Sequence, residues 1–517
     1  MVPSTSAENR LLIRKEYIET PNQWQWKYVG LYTNYAMVGW MYSALSSTAT
    51  SFCFYVWEVE HHDTCQSARN VISMGWNFKF FIAVLCESYR PFSYRRKPYI
   101  LAGWLGAILV MVVLAFAADP EIVSFSTYGI LCMIATAFYI VADVNADGLT
   151  IEWSQKESPE TRGRILATGQ IVRFTFSCAA GLFNALLMNG PSTNPEGKGW
   201  NFGLTVGQMF EFTVVLCLLL VVPIFYLVEP DSSAIPSRNL HEHLGELWQI
   251  LHGKPLSLLL IYVCGMTALA GIYNVAALTM QFQIIQLDQF QSGVDTLSTY
   301  FVLLVAIHIF KTFCLNVNWR YTEILSKMLY AFLGLLWLLP IYDLWGTRNA
   351  WFTIFIDLNE SFAGGLTQVL FSMAVVEIAE PGLEATTYEF LISVHNVSIL
   401  FASVLSIQLQ VPFGVQNIAT KENPYDEDQD NWRFASYTIC IFFLEALVVA
   451  IYQAWAQTEE GAVVREKSTL GTDGGPSALV TSSEYAVLLD EMAALKALVR
   501  GRSRVAQGSL GDGAKTS

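Results

Sequence analysis

Val71-Ile-Ser-Met-Gly-Trp-Asn-Phe-Lys79-Phe-Phe-Ile-Ala-Val-Leu-Cys86 is an apolar stretch long enough to cross a bilayer, with a lysine at its middle. It runs straight into Glu87-Ser-Tyr-Arg-Pro-Phe-Ser-Tyr-Arg-Arg-Lys-Pro-Tyr99. A charge at membrane depth costs at least ~2.5–3.5 kcal/mol, so it persists only where it faces protein, water or a substrate. The basic cluster beyond it marks a cytoplasmic loop. Together they predict a chain that crosses the membrane several times around a polar path.

The composition agrees. Of 517 residues, 53% are hydrophobic and only 14% charged, with a mean hydropathy of +0.39. Soluble domains carry about 25% charged residues. Spans of about 20 apolar residues recur some twelve times, which predicts an all-α membrane protein. Six lie near Gly30–Trp57, Ala68–Glu87, Tyr99–Ala117, Ile122–Val144, Ile165–Leu187 and Leu204–Val228. Six more lie near Leu256–Met280, Thr296–Cys314, Ile324–Trp345, Ala350–Val375, Thr386–Gln410 and Phe434–Ala454. The expected organisation is an N-terminal segment (1–29), a six-helix bundle (30–228), a linker (229–255), a second six-helix bundle (256–455) and a tail (456–517).

Met1 to Tyr28 is polar and has no apolar core, so no cleavable signal peptide is expected. Arg90, Arg95, Arg96 and Lys97 after span two, with Lys156, Arg162 and Arg164 after span four, place both termini and the linker in the cytoplasm. The plasma membrane is the default location. A net charge of −14 argues against nucleic acid as a partner. The nine cysteines show no metal-ligand spacing and no cofactor motif is present. Cys53 and Cys65 bracket the first outer loop, where free thiols are the expected reading and a pairing the lesser one. His61-His62-Asp63-Thr64-Cys65 reads as a solvated loop, with a metal site as the lesser reading. The sequons at Asn359 and Asn396 fall inside spans, where glycosylation is not expected.

Six spans, a linker and six spans suggest a duplicated architecture. Glu152-Trp-Ser-Gln-Lys-Glu-Ser-Pro159 before span five and Glu377-Ile-Ala-Glu380-Pro381 before span eleven share an acid and a proline break. Leu240, Leu244, Leu247 and Leu251 in the linker fit an interfacial helix. The Gly- and Ser-rich run Gly461–Pro476 reads as disordered. Beyond it, Thr481-Ser-Ser-Glu484 is a capping box opening a short amphipathic helix, suited to a protein partner, a membrane surface or dimerisation.

Charged residues within the spans are the strongest functional signal: Lys79 in span two, Arg173 in span five, and Asp143 and Asp147 one turn apart in span four. Asp357 and Glu360 neighbour each other in span ten, Glu389 and His395 lie in span eleven, and Lys311 in span eight. Opposite charges of this kind can neutralise one another as structural pairs. So many at depth more often line a solute or proton path. Glu211 and Glu445 are weaker candidates, expected at the periphery. Trp76 and its aromatic neighbours offer stacking surfaces but equally suit a core.

Trp76-Asn-Phe-Lys79, then Glu87 and Pro91, then Tyr94-Arg95-Arg96-Lys97-Pro98-Tyr99, resemble the signature loop of the folate-biopterin transporter family, a branch of the major facilitator superfamily. Ala142-Asp143-Val144-Asn145-Ala146-Asp147-Gly148-Leu149 with Glu152 is similar to the acidic motif that ends the family's fourth helix. Pro381-Gly382-Leu383-Glu384-Ala385-Thr386, with Ser393 and Asn396, resembles the motif that opens its eleventh. The likeness covers residues 25 to 455 and is stronger in the first half. Glu87 replaces the usual Asp, and Ala83, Ser93 and Asn145 also depart; these changes bear on substrate rather than fold.

The resemblance implies two six-helix bundles rocking about a central site. Lys79 and Arg173 would meet an anionic substrate group, with Trp76 beside them, and Asp143, Asp357 or Glu360 would bind a coupling proton. Glu87 would form a cytoplasmic latch near the first turn of helix eleven and near Arg95 or Arg164. The helix dipole there favours a carboxylate by about 0.3–1 kcal/mol. Arg96, Asp147, Glu152 and Glu384 complete the expected gating set.

The leading expectation is therefore a secondary transporter of a small organic anion of folate or pterin type. A carrier of the same fold for an amino acid, nucleoside or S-adenosylmethionine is the near alternative, and a non-transporting membrane sensor the far one. An enzyme is not expected, since no HExxH, GxSxG, P-loop or dinucleotide fingerprint occurs.

Overall fold

The computed structural model describes residues 25–89, 94–155, 164–229, 271–309, 319–363, 384–418 and 424–469, plus isolated positions between 245 and 269. Among these the chain is helical and without strands. Helix α1 is Val29–Tyr55. Helix α2 joins His62–Ile72 to Lys79–Ser88 through a 3₁₀ stretch, Ser73–Phe78. Helices α3 (Lys97–Ala117), α4 (Phe125–Gln155), α5 (Arg164–Leu187) and α6 (Val206–Val221) complete the first half. Described parts of the second half are α7 (Ala276–Leu278, then a π-helical turn Thr279–Ile284), α8 (Gln289–Ile309) and α9 (Trp319–Gly334). These are followed by α10 (350–363), α11 (Glu384–Leu409) and α12 (Glu427–Thr469).

Eight of the described helices are long and apolar enough to cross a bilayer. The chain is an integral, multi-pass membrane protein. Two apolar cores underlie the two halves. One draws on residues between Tyr28 and Leu227, with Phe282 added; the other on residues between Ile272 and Ile441. On α3, Leu105, Leu109, Val113 and Phe116 are exposed at helical spacing, the stripe expected of a lipid-facing surface.

Helix α1 is not among the eight, because Asn34, Ser43, Ser46, Thr48, Thr50 and Ser51 lower its hydropathy. All six are buried, so α1 faces protein rather than lipid. Some of its polar groups find internal partners: Trp104 Nε1 donates to Asn34 Oδ1 at 2.7 Å, and Ser51 Oγ donates to the Thr48 carbonyl at 3.0 Å. Gly39 lets α1 lie against α5, since a Cβ there would overlap the Arg173 carbonyl.

Among the described residues the halves meet most extensively along two helix pairs. Gly181 and Ala185 of α5 pack on Leu297 and Gly293 of α8, and α2 packs on α11. Near the Cys53 end, Gln289 Nε2 donates to Ser51 Oγ at 2.9 Å, and Asn184 Nδ2 donates to Gln289 Oε1 at 3.3 Å. Cys53 and Cys65, expected as free thiols, form a disulfide between the end of α1 and the start of α2.

Three further expectations change. His62–Ile72 is helical, and Cys65 is spent in the disulfide, so no His–Cys metal site forms there. Helix α12 continues through Gly461 to Thr469, where disorder was expected. Ala462, Arg465, Glu466 and Lys467 are good helix formers, and one glycine costs only about 1 kcal/mol. Glu445, expected at the periphery, is 6% exposed and packed inside the second half, whereas Glu211 is exposed. The linker leucines and the tail capping box lie outside the described residues.

Candidate functional site

Lys79 opens the second part of α2, immediately after the 3₁₀ stretch. In an unbroken α-helix the Phe80 N–H would bond the Trp76 carbonyl. Here each has a partner on α11: Phe80 N–H donates to Ser393 Oγ at 2.9 Å, and Asn396 Nδ2 donates to the Trp76 carbonyl at 3.0 Å. The irregularity in α2 is thus matched by two polar side chains one turn apart on the opposite half. It turns Lys79 inward, beneath the Trp76 ring, whose centre is 5.1 Å from Nζ.

Lys79 Nζ contacts Asp143 at 2.8 Å, Asp147 at 2.9 Å and Glu389 at 3.4 Å. Arg173 pairs with Asp143 and lies 3.6 Å from Asp147. Tyr35 O–H donates to Asp147 Oδ1 at 2.8 Å, and Trp76 Nε1–H donates to Tyr139 Oη at 3.1 Å. The Arg173 guanidinium also stacks 4.8 Å from the Tyr35 ring. Lys79 is 2% exposed and Asp143 and Glu389 0%. Four helices of the first half and one of the second therefore converge on a dry ionic knot.

Lys79 and Arg173, expected to meet an anionic substrate group, here face carboxylates of the chain itself. In this conformation both are held by carboxylates. Asp147, expected in the gate, belongs to the same knot, because it is one turn from Asp143 on α4.

A second cluster occupies the Arg95 end. Arg96 donates to Glu87 at 3.0 Å and to Glu152 at 2.8 Å, and Arg95 donates to Glu152 at 2.7 Å. Thr386, in the first turn of α11, donates its hydroxyl proton to Glu87. Glu87 thus touches the first turn of helix eleven directly, through Thr386, while both arginines of the loop also hold it. Gly148 leaves room for Arg96; a Cβ there would collide with its guanidinium. Glu229 accepts from the backbone amides of Arg95 and Arg96, each at 2.9 Å, and from that of Lys97. A carboxylate there satisfies donors at the α3 N-terminus. The side chains of Arg164 and Glu384 lie outside the described residues.

Asp357 and Glu360 do not join the knot. Gln281 Nε2, in the π turn of α7, donates to Asp357 Oδ2 at 2.5 Å. Trp337 Nε1 donates to Glu360 Oε1 at 3.2 Å, and Glu360 shares a cavity of about 20 Å³ with Asn274, Tyr330 and Glu445. The two acids neighbour each other on α10 but serve separate surroundings.

Sequence reasoning missed Tyr35, Thr386, Glu229 and Asp295 as site residues. Thr386 stood in a quoted motif without a role, and Glu229 was read as a linker boundary. Asp295 fell just outside the expected eighth span, whereas α8 begins at Gln289 and carries it inside; its Oδ1 is buried without a hydrogen bond among the described residues.

The sequence pattern of the BT1 family matches residues 42–427, most of the chain and all the clusters above except Tyr35 and Glu445. The chain belongs to the BT1 family. It is also 22% identical over 343 residues to the folate-biopterin transporter of Synechocystis sp.. That match takes in 65% of this chain and spans 64% of the relative's own length. By structure the chain is similar to nucleoside transporter NupG, with a TM-score of 0.56 and 11% identity over 83% of this chain and 98% of that one. It is likewise similar to a D-xylose-proton symporter, with a TM-score of 0.56 and 11% identity over 81% and 96% of the two chains. The described residues share the all-helical fold of these transporters, a major-facilitator-type fold.

Proposed function

We propose that this BT1-family protein is a secondary transporter that moves a small organic anion of folate or pterin type by alternating access. The observation that carries the reading is the placement of ionisable groups at the seam between the halves. Glu87 with Thr386 and Lys79 with Glu389 both join α2 to α11. Contacts of this kind must break when the halves rock apart. The name of the Synechocystis relative supports the solute class.

In this reading the described conformation is closed, with Lys79 and Arg173 held in reserve. Opening parts α2 from α11, admits water, and lets a substrate carboxylate compete with Asp143 and Asp147 for the two cations. Trp76, already stacked over Lys79, lies where a planar ring would rest. Glu87, Arg95, Arg96 and Glu152 form the latch on the cytoplasmic side, with both termini on that side and the plasma membrane as host.

The test is uptake of radiolabelled folic acid, biopterin and S-adenosylmethionine by proteoliposomes holding the full-length chain, with and without an imposed proton gradient. Saturable uptake of folic acid or biopterin is expected. Uptake of S-adenosylmethionine alone moves the substrate class, and uptake of none of the three overturns the reading.

A further inference from the structure

The ionic knot does not balance. Among the described residues, Lys79 and Arg173 bring two positive charges and Asp143, Asp147 and Glu389 three negative ones. One negative charge is in excess, in a place closed to water. The Asp143 and Glu389 side chains are 0% exposed, so no water-sized void touches either and no second solute fits beside them. An uncompensated charge in such surroundings is strongly disfavoured. A proton is the one cation that needs no room.

The contacts say which carboxylate takes it. Asp143 is engaged by both Lys79 and Arg173. Asp147 is engaged by Lys79, by Arg173 and by the Tyr35 hydroxyl. Glu389 has only Lys79, at 3.4 Å, and neither of its oxygens accepts a hydrogen bond among the described residues. The charged groups of the packed helices that face it are Lys79 from α2, Asp143 and Asp147 from α4, and Arg173 from α5. On its own helix, His395 is occupied with Thr267 at 3.2 Å.

We infer that Glu389 holds a proton whenever the two halves are closed. Opening the seam wets the carboxyl and lets the proton leave; closing requires that it be regained. Protonation and closure are therefore linked, so acid favours the closed form and raising the pH opposes it. The sense of this linkage rests on the transporter reading, in which Glu389 would be the coupling carboxyl rather than Asp143, Asp357 or Glu360. The protonation itself does not rest on it.

The experiment is infrared difference spectroscopy on the purified full-length chain in lipid nanodiscs at neutral pH, with protons as the only ligand varied. A buried protonated carboxyl gives a carbonyl band distinct from that of carboxylates. Wild type minus Glu389→Gln should show it, and Glu389→Asp should displace it. Asp357→Asn, Glu360→Gln and Glu445→Gln should leave this component in place. Glutamine reproduces the shape and neutrality of the protonated acid, so Glu389→Gln should fold with unchanged thermal stability. Absence of the component from the wild-type difference, an undisplaced band in Glu389→Asp, or failure of Glu389→Gln to fold would each overturn the proposal. Uptake plays no part in this assay, so failure here leaves the transporter reading standing, and failed uptake leaves the protonation standing.

Discussion

Ser393 and Asn396, three residues apart on α11, hold the backbone N–H of Phe80 and the carbonyl of Trp76, the two groups freed where α2 departs from α-helical geometry. This matters because Lys79 lies between them. The local structure that aims the lysine is completed by the other half of the molecule, so moving α11 away from α2 also loosens the lysine's support.

Removing either side chain should therefore cost stability out of proportion to its size. An unpaired, partly buried backbone group costs about 1–3 kcal/mol. Asn396→Ala and Ser393→Ala should each lower the thermal unfolding temperature in detergent or nanodiscs, and Ser393→Thr, which keeps the hydroxyl, should lower it less. Equal losses for Ala and Thr would show that the hydroxyl is not what matters.

Lys79→Ala is expected to fail in folding before it fails in binding. It leaves Arg173 as the one cation facing Asp143 and Asp147 in the knot, and breaking a buried ion pair from one side costs about 3–5 kcal/mol. A triple neutral variant, Lys79→Met with Asp147→Asn and Glu389→Gln, should recover most of the loss. Size-exclusion profiles and thermal unfolding compare the two; a well-folded Lys79→Ala would argue for water in the knot.

Glu87→Gln should weaken the latch by removing the charge that both arginines and Thr386 address. A cysteine placed near the start of α11 should then react faster with a membrane-impermeant thiol reagent, by roughly the tenfold that about 1.4 kcal/mol represents. Gly148→Ala should have the same effect by displacing Arg96. No change in labelling for either variant would remove the cluster from gating.

In transport, Glu389→Gln should separate exchange from accumulation. Swapping labelled for unlabelled solute across the membrane needs no net proton movement, so it should persist. Uphill uptake driven by an imposed proton gradient should disappear. Retained gradient-driven uptake of folic acid or biopterin would place coupling elsewhere.

Reducing Cys53–Cys65, which closes a loop of sequence separation 12, should lower stability by about 2–4 kcal/mol. Thermal unfolding with and without a membrane-permeant reductant measures it, with Cys53→Ala/Cys65→Ala as the control. An unchanged transition would show that α1 and α2 are held by packing alone.

By itself the sequence determined the class of molecule and the register of its charges. Runs of about 20 apolar residues can only be satisfied in a bilayer as helices, and the few ionisable groups within them had to face inward wherever the fold put them. Lys79, Arg173, Asp143 and Asp147 were legible for that reason, as was the basic loop at Arg95–Lys97. What only the tertiary structure decided is which groups meet. Spacing along a helix gives a residue's face, but not the neighbour across a seam more than 300 residues away in sequence. Glu389, Thr386, Ser393 and Asn396 acquire their partners when α11 packs on α2. Packing within the first half drew Asp147 from the gate into the knot, packing within the second gave Asp357 and Glu360 different partners, and the approach of α11 to α2 left three carboxylates facing two cations.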